Sequence, residues 1–317
     1  MNAKAWASAV LAAMTLSGSV ALAQVPAGVA EKLRAIGAVI NPPATAPLYA
    51  PRVIESEPYA NVGVTRDLRY GPADRNLLDV FVPAEASAQP RPVLIFVHGG
   101  AFVAGNKRAP GSPFYDNIML WAVRNDMVGV NMAYRLAPQS PWPAGAEDIG
   151  LGVKWVREQI GAHGGDPKRV YVLGHSTGAI RVADYLANER FQVVGGSGLA
   201  GAMLLSGLYE VKPETAVTAY YGTDASRYAE QSSLNGLLRT QVPLWVGSAE
   251  LDPPPFVAQA SRLTEALCQA SRCPAATKFA GHSHLSEVYS IHTDDRSVSD
   301  ALAKFLPRSS APRTWQP

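Results

Sequence analysis

A chain of 317 residues with 47% hydrophobic and 17% charged residues has the apolar content to bury a core, which excludes the disordered and fibrous classes. Its 28 Lys and Arg against 26 Asp and Glu give a formal net charge of only +2 without a basic block, so the footprint of a nucleic-acid binder is missing. The length allows two domains, but α/β folds run to about 250 residues as one unit, and one domain is the simpler expectation.

Lys4, the apolar stretch 5–16 and the small residues Ala21, Leu22 and Ala23 before Gln24 spell a cleavable secretory signal over 1–23. A membrane anchor would need about 20 unbroken apolar residues, and Ser17, Gly18 and Ser19 interrupt this run. The expectation is a periplasmic or secreted protein with no membrane partner after cleavage. Residues 24–61, with Pro42, Pro43, Pro47, Pro51 and Pro58, read as an extended leader that begins with one short helical stretch. The body of the chain is expected over 62–308, followed by a tail over 309–317.

From residue 62 onward short β-rich runs alternate with longer helical patterns, which predicts an α/β fold around a mostly parallel sheet with helices on both faces. Runs 64–70 and 77–82, separated by the turn-rich segment 71–76, predict an antiparallel hairpin. Buried strands are expected at 93–97, 127–132, 170–173, 202–205, 244–247 and 276–279. Helices are expected at 114–125, 147–161, 178–189, 256–270 and 294–306; in the last, Val298, Ala301, Leu302 and Phe305 share one face.

Gly174, His175, Ser176, Thr177 and Gly178 spell G-x-S-x-G between a predicted strand and a predicted helix. A sharp turn there would lift the serine side chain to the carboxyl end of the sheet. A nucleophilic serine needs a base, an acid to orient the base, and donors for an oxyanion. Each has a candidate just past a different strand. His98, Gly99, Gly100, Ala101 and Phe102 follow 93–97, and the N–H groups of Gly99, Gly100 and Thr177 are the expected oxyanion hole. Asp252 follows 244–247 and is favoured over Glu250 as the acid, because Pro253, Pro254 and Pro255 fix the loop just past it. His282 and His284 both follow 276–279; His284 is favoured, since its offset from Gly281 leaves a turn for the ring to swing back over the serine.

The remaining histidines have blander readings: His98 holds the glycine turn, His175 packs beside the nucleophile, and His163 and His292 are solvated. Cys268 and Cys273 read as a structural disulfide, with Cys273 past the end of the helix that carries Cys268. So short a loop would contribute about 2 kcal/mol. No metal site is expected from two thiols at this spacing.

These motifs, together with Tyr134 to Pro138 (YRLAP), Pro143 and Ala144 with Glu147 and Asp148, and Gly165, Asp166 and Pro167 with Arg169 and Val170, resemble the α/β-hydrolase carboxylesterases. The similarity is to the hormone-sensitive-lipase-like branch and its bacterial feruloyl-esterase-like relatives, over about residues 62–306. The resemblance implies an α/β-hydrolase fold with a small cap, a serine carboxylesterase using Ser176, Asp252 and His284 in that chain order, and no cofactor. Thr177 departs from the alanine most common at that position, and the segment from Ser176 to Asp252 is shorter than in members with a full helical cap. In such a fold 208–235 overhangs the serine, so Tyr220 and Tyr221, with Phe102, are expected in the pocket wall; Tyr209, Tyr228 and Trp142 are further candidates. Arg135 is expected to pair with an acid such as Asp148, leaving a pocket suited to a neutral, small or aromatic ester. Formamide hydrolysis on the same triad, or a non-catalytic binding module of this fold, are the competing readings.

Overall fold

The computed structural model describes residues 25–53 and 57–307, so the secretory pattern over 1–23 and the tail lie outside the described residues. Eight strands run in chain order: β1 (Val62–Arg69), β2 (Leu77–Pro83), β3 (Arg91–Val97), β4 (Val128–Met132), β5 (Gly165–His175), β6 (Gly201–Leu205), β7 (Leu244–Leu251) and β8 (Ala275–Ser283). They form one sheet in the order β1-β2-β4-β3-β5-β6-β7-β8. β2 pairs antiparallel with both β1 and β4, and every other pairing is parallel. The expected hairpin and buried strands are present, with β5, β7 and β8 longer than the apolar runs that announce them.

The helices are α1 (Ala27–Ile36), α2 (Pro42–Tyr49), α3 (Asp116–Arg124), α4 (Ala144–Gln159), α5 (Thr177–Ala187), the single turns α6 (Thr218–Tyr221) and α7 (Leu234–Leu237), α8 (Pro254–Gln269), the turn α9 (Ser286–Tyr289) and α10 (Ser297–Phe305). Side-chain alternation along β3 divides the core. Val93, Ile95 and Val97 pack with Ile149 and Val153 of α4, Val182 of α5 and Leu263 of α8. Leu94 and Phe96 point the other way, toward Leu33 of α1, Ile118 of α3 and Leu302 of α10. Helices therefore cover both faces. Among the described residues no helix is long and apolar enough to cross a membrane.

The leader is not extended. Asn41 accepts a hydrogen bond from Ala44 N (3.1 Å) and caps α2, whose first two residues are Pro42 and Pro43. Proline is tolerated there because the first helical N–H groups have no partner in any case. Leu33 and Tyr49 are fully buried, and the Tyr49 hydroxyl donates to Asp295 Oδ2 (3.0 Å), which binds the leader to the end of the chain. The Cys268–Cys273 disulfide closes the turn that follows α8.

Candidate active site

Ser176 sits between the end of β5 and the first residue of α5, with φ 54° and ψ −124°. A positive φ on a residue with a Cβ costs on the order of 1–3 kcal/mol and persists only where the surroundings over-determine it. Here they do: Ser176 N donates to Leu205 O of β6 (2.9 Å), and Ile180 N returns to Ser176 O (3.2 Å). Gly178 permits the close approach of α5 to β3, since a Cβ there would lie 2.0 Å from Val97 O.

His284 follows β8 and turns its Nδ1 to Asp252 Oδ1 at 2.7 Å. Asp252 follows β7, and its other oxygen accepts from Ser206 Oγ (2.6 Å) and Ala249 N (2.8 Å). Three donors on one buried carboxylate fix its orientation. With Nδ1–H so engaged, Nε2 is the basic nitrogen, and it has no hydrogen-bond partner. Ser176 and His284 line the same cleft of about 790 Å³. His282 is turned away, bonded through Nδ1 to Ser286 Oγ (2.9 Å) and through Nε2 to Ser297 Oγ (2.6 Å). Glu250 accepts from Gly281 N (2.6 Å) and makes a loop contact, not a triad contact.

Gly99, Gly100 and Thr177 line the cleft beside Ser176. Thr177 is the first residue of α5, so its N–H has no partner within the helix and stands at the positive end of the helix dipole. The loop that presents Gly99 and Gly100 is strained: Gly100 has φ 135°, Ala101 49° and Phe102 69°. His98 anchors it, bonding through Nδ1 to Gly99 O (2.6 Å) with its ring stacked on Tyr134 at 4.3 Å. Arg135 binds Asp148 (2.8 Å) and Glu147 (2.9 Å), away from the cleft.

The expected pocket wall needs correction. Phe102 lines the cleft, whereas Tyr220, Tyr221, Tyr228 and Trp142 pack behind it in a separate apolar cluster and do not reach the cavity; Tyr209 belongs to the main core. The segment 208–235 contributes Leu208, Thr215 and Val217 instead, and the opposite side carries Phe114, Tyr115, Leu285 and Tyr289. Ile40 and Pro42 of the leader complete the rim. His292 is buried rather than solvated, and His163 is half-buried against Trp155.

Two further polar groups lie behind His284: His175, which the sequence places beside Ser176, and Glu287, which no motif marks. His175 Nε2 bonds to His284 O (2.8 Å), and Glu287 Oε1 lies 3.5 Å from the same nitrogen. Burial, with the nearby Asp252 charge, pushes the Glu287 carboxyl well above the usual range. His175, His284 and Glu287 form the one cluster of potential metal-ligating atoms among the described residues. The bonds of His175 Nε2 to the His284 carbonyl and of His284 Nδ1 to Asp252 engage one nitrogen of each imidazole.

Buried imidazoles make the fold acid-sensitive. Burial pushes His98 down to about 3 and His175 well below its usual value, the latter aided by the neighbouring His284. Both stay neutral in the folded protein at pH values where the unfolded chain is protonated. Their contribution is fully present above about pH 6.5 and is lost as the pH falls toward the folded values. Glu287 acts in the opposite sense, favouring the fold most at low pH. Burial also depresses His282 and raises Asp184, so with three imidazoles against two carboxyls the urea midpoint is expected to be lower at about pH 4.5 than at about pH 7. An equal or higher midpoint at the lower pH would contradict this.

Comparison with known proteins follows the same lines. The BD-FAE family model matches residues 78–264. Esterase LipQ of Mycobacterium tuberculosis is 38% identical over 117 residues, which cover 36% of this chain and 27% of that protein. The para-nitrobenzyl esterase of Bacillus subtilis is 37% identical over 121 residues, covering 35% and 24%. The chain thus spans about a quarter of the length of the curated relatives it matches. Among solved structures, esterase B from Lactobacillus rhamnosis (HN001) superposes with a TM-score of 0.67 at 15% identity, covering 88% of this chain and 93% of that one. An esterase from Pyrobaculum calidifontis gives 0.61 at 19%, covering 88% and 97%. At these identities the structural likeness establishes the α/β-hydrolase fold.

Proposed function

The chain belongs to the BD-FAE family of α/β-hydrolases, and from that premise and the geometry around Ser176 we propose that it is a serine carboxylesterase acting on neutral, small or aromatic esters. The observation that carries the reading is the 2.7 Å bond from His284 Nδ1 to Asp252, which leaves Nε2 as a base in the cleft that holds the strained Ser176. The esterase names of the relatives support it.

In the proposed reaction Ser176 Oγ attacks the ester carbonyl carbon and gives its proton to His284 Nε2. The carbonyl oxygen takes the negative charge and receives hydrogen bonds from the N–H groups of Gly99, Gly100 and Thr177. Collapse breaks the bond to the alkoxy oxygen, which leaves as the alcohol with the proton from His284. Water, deprotonated by the same nitrogen, then adds to the acyl-serine; collapse breaks the bond to Ser176 Oγ, which takes the proton back from His284 Nε2, and the carboxylic acid departs. Asp252, bonded to Nδ1, orients the ring and stabilises the imidazolium.

The mostly apolar lining, with Phe102, Phe114, Ile180, Leu208 and Val217, supports an uncharged substrate. Export to the periplasm or the medium is also part of the proposal. It rests on the residue pattern of 1–23 and on the Cys268–Cys273 disulfide, a bond at home in oxidising compartments. A panel of 4-nitrophenyl esters of rising chain length, run beside methyl ferulate and a formanilide, tests the substrate class. Turnover of short or aromatic esters above the formanilide is expected; preference for the formanilide would move the reading to amide hydrolysis.

A further inference from the structure

Arg181 is the largest fully buried side chain among the described residues, and its charge needs an explanation. It lies on α5, five positions after the nucleophile. Its Nη1 donates to the Tyr220 hydroxyl at 3.3 Å, while Nε and Nη2 have no hydrogen-bond partner. The guanidinium is instead surrounded by aromatic faces: its central carbon lies 4.2 Å from the Tyr134 ring centroid, 4.8 Å from that of Tyr220 and 5.5 Å from that of Phe102. Asp148, whose charge reaches Arg181, is already bonded to Arg135 (2.8 Å) and Asn76 (3.0 Å). Asp184, one turn along α5, is pushed well above the usual carboxylate range by burial, with the Arg181 charge acting in the opposite sense. Gly145 leaves the space, since a Cβ there would come within 1.8 Å of Nη1.

Two of those three rings hold the oxyanion loop. The Tyr134 hydroxyl donates to His98 O (2.6 Å) at the start of the loop, and its ring stacks on His98. Phe102 is the end of the loop and sits at φ 69°. The loop supplies Gly99 and Gly100, while Thr177, the other expected donor, belongs to the helix that carries Arg181. We infer that Arg181 is a positioning residue that clamps both ends of the His98–Phe102 loop to the nucleophile helix and so sets the two halves of the oxyanion hole in register. A buried cation lying against aromatic rings gains most where water is excluded, and arginine's flat guanidinium can face several rings where an ammonium cannot. The inference rests on the esterase reading for its chemistry but on these contacts for its geometry.

The test compares the parent with Arg181→Met and Arg181→Lys in two assays. One is the rate of phosphonylation of Ser176 by a fluorophosphonate, which builds charge in the same oxyanion hole; the other is 4-nitrophenyl acetate turnover per titrated active site. Both variants are expected to lose about 100-fold in kcat and in phosphonylation rate, with KM within about threefold and no rescue by lysine. A role in packing alone would lower the thermal midpoint and leave the rate per titrated site within about threefold, and that result overturns the inference. Where the Arg181 variants do not fold, Phe102→Leu decides: it unloads one end of the clamp and should lower the phosphonylation rate at least tenfold, and a change below about threefold overturns the inference. A parent that is phosphonylated but turns over no ester would sink the esterase reading, while the Arg181 comparison would still stand on the phosphonylation rates.

Discussion

Replacing Ser176 with alanine lowers ester turnover by on the order of 10⁴-fold or more and leaves the fold standing, the expected outcome when a triad loses its nucleophile. The side chain contributes an oxygen to the cleft, but the elbow is held by main-chain bonds: Ser176 N to Leu205 O and Ile180 N to Ser176 O remain with alanine in place. Alanine also has a Cβ, so the strain at φ 54° is neither relieved nor increased. Thermal unfolding of the variant within a few degrees of the parent, together with lost turnover, is the predicted pair of results. Near-normal turnover by purified Ser176→Ala protein would remove the basis for every role assigned here.

Exchanging the two neighbouring histidines separates the base from its structural neighbour. His284→Gln is expected to cost about as much as Ser176→Ala, and the double variant no more than either alone, because residues that act as a unit do not add. His282→Gln is expected to retain turnover within about tenfold while losing stability, since Ser286 and Ser297 lose the nitrogens they bond. Glutamine can reproduce some hydrogen bonds of an imidazole but cannot accept and return a proton at neutral pH. A dead His282→Gln beside an active His284→Gln would move the base by two residues and contradict the 2.7 Å pairing with Asp252.

The residues gathered in the cleft were legible because each chemical group follows a strand that announces itself by a short apolar run. Val93 to Val97 precede the glycine loop, Leu244 to Gly247 precede Asp252, and the nucleophile sits in a five-residue motif whose second glycine is required by the approach of α5 to Val97. The parallel sheet then brings these strand ends to one edge. What the sequence hid depends on long-range packing. The prolines of the leader suggested extended chain, yet Pro42 and Pro43 occupy the first turn of a helix and leave Ile40 on the cleft rim. Tyr220 and Tyr221 belong to the right segment but pack behind Phe102, because α6 turns Tyr220 inward onto Arg181 and Tyr221 against Tyr220 and Phe102. Nothing local marks Arg181 or Glu287 as buried, since charged residues on short helices ordinarily face water. The burial of His292 was hidden in the same way, its surroundings coming from elements distant in the chain.

The central claim is that Ser176 carries the acyl group, and acid-quenched mass spectrometry after mixing with 4-nitrophenyl acetate tests it most directly. The account predicts an acetyl adduct on the peptide containing Ser176, formed with release of 4-nitrophenol and absent in Ser176→Ala. An acetyl group on any other residue during turnover, or turnover and adduct unchanged in Ser176→Ala, would contradict it.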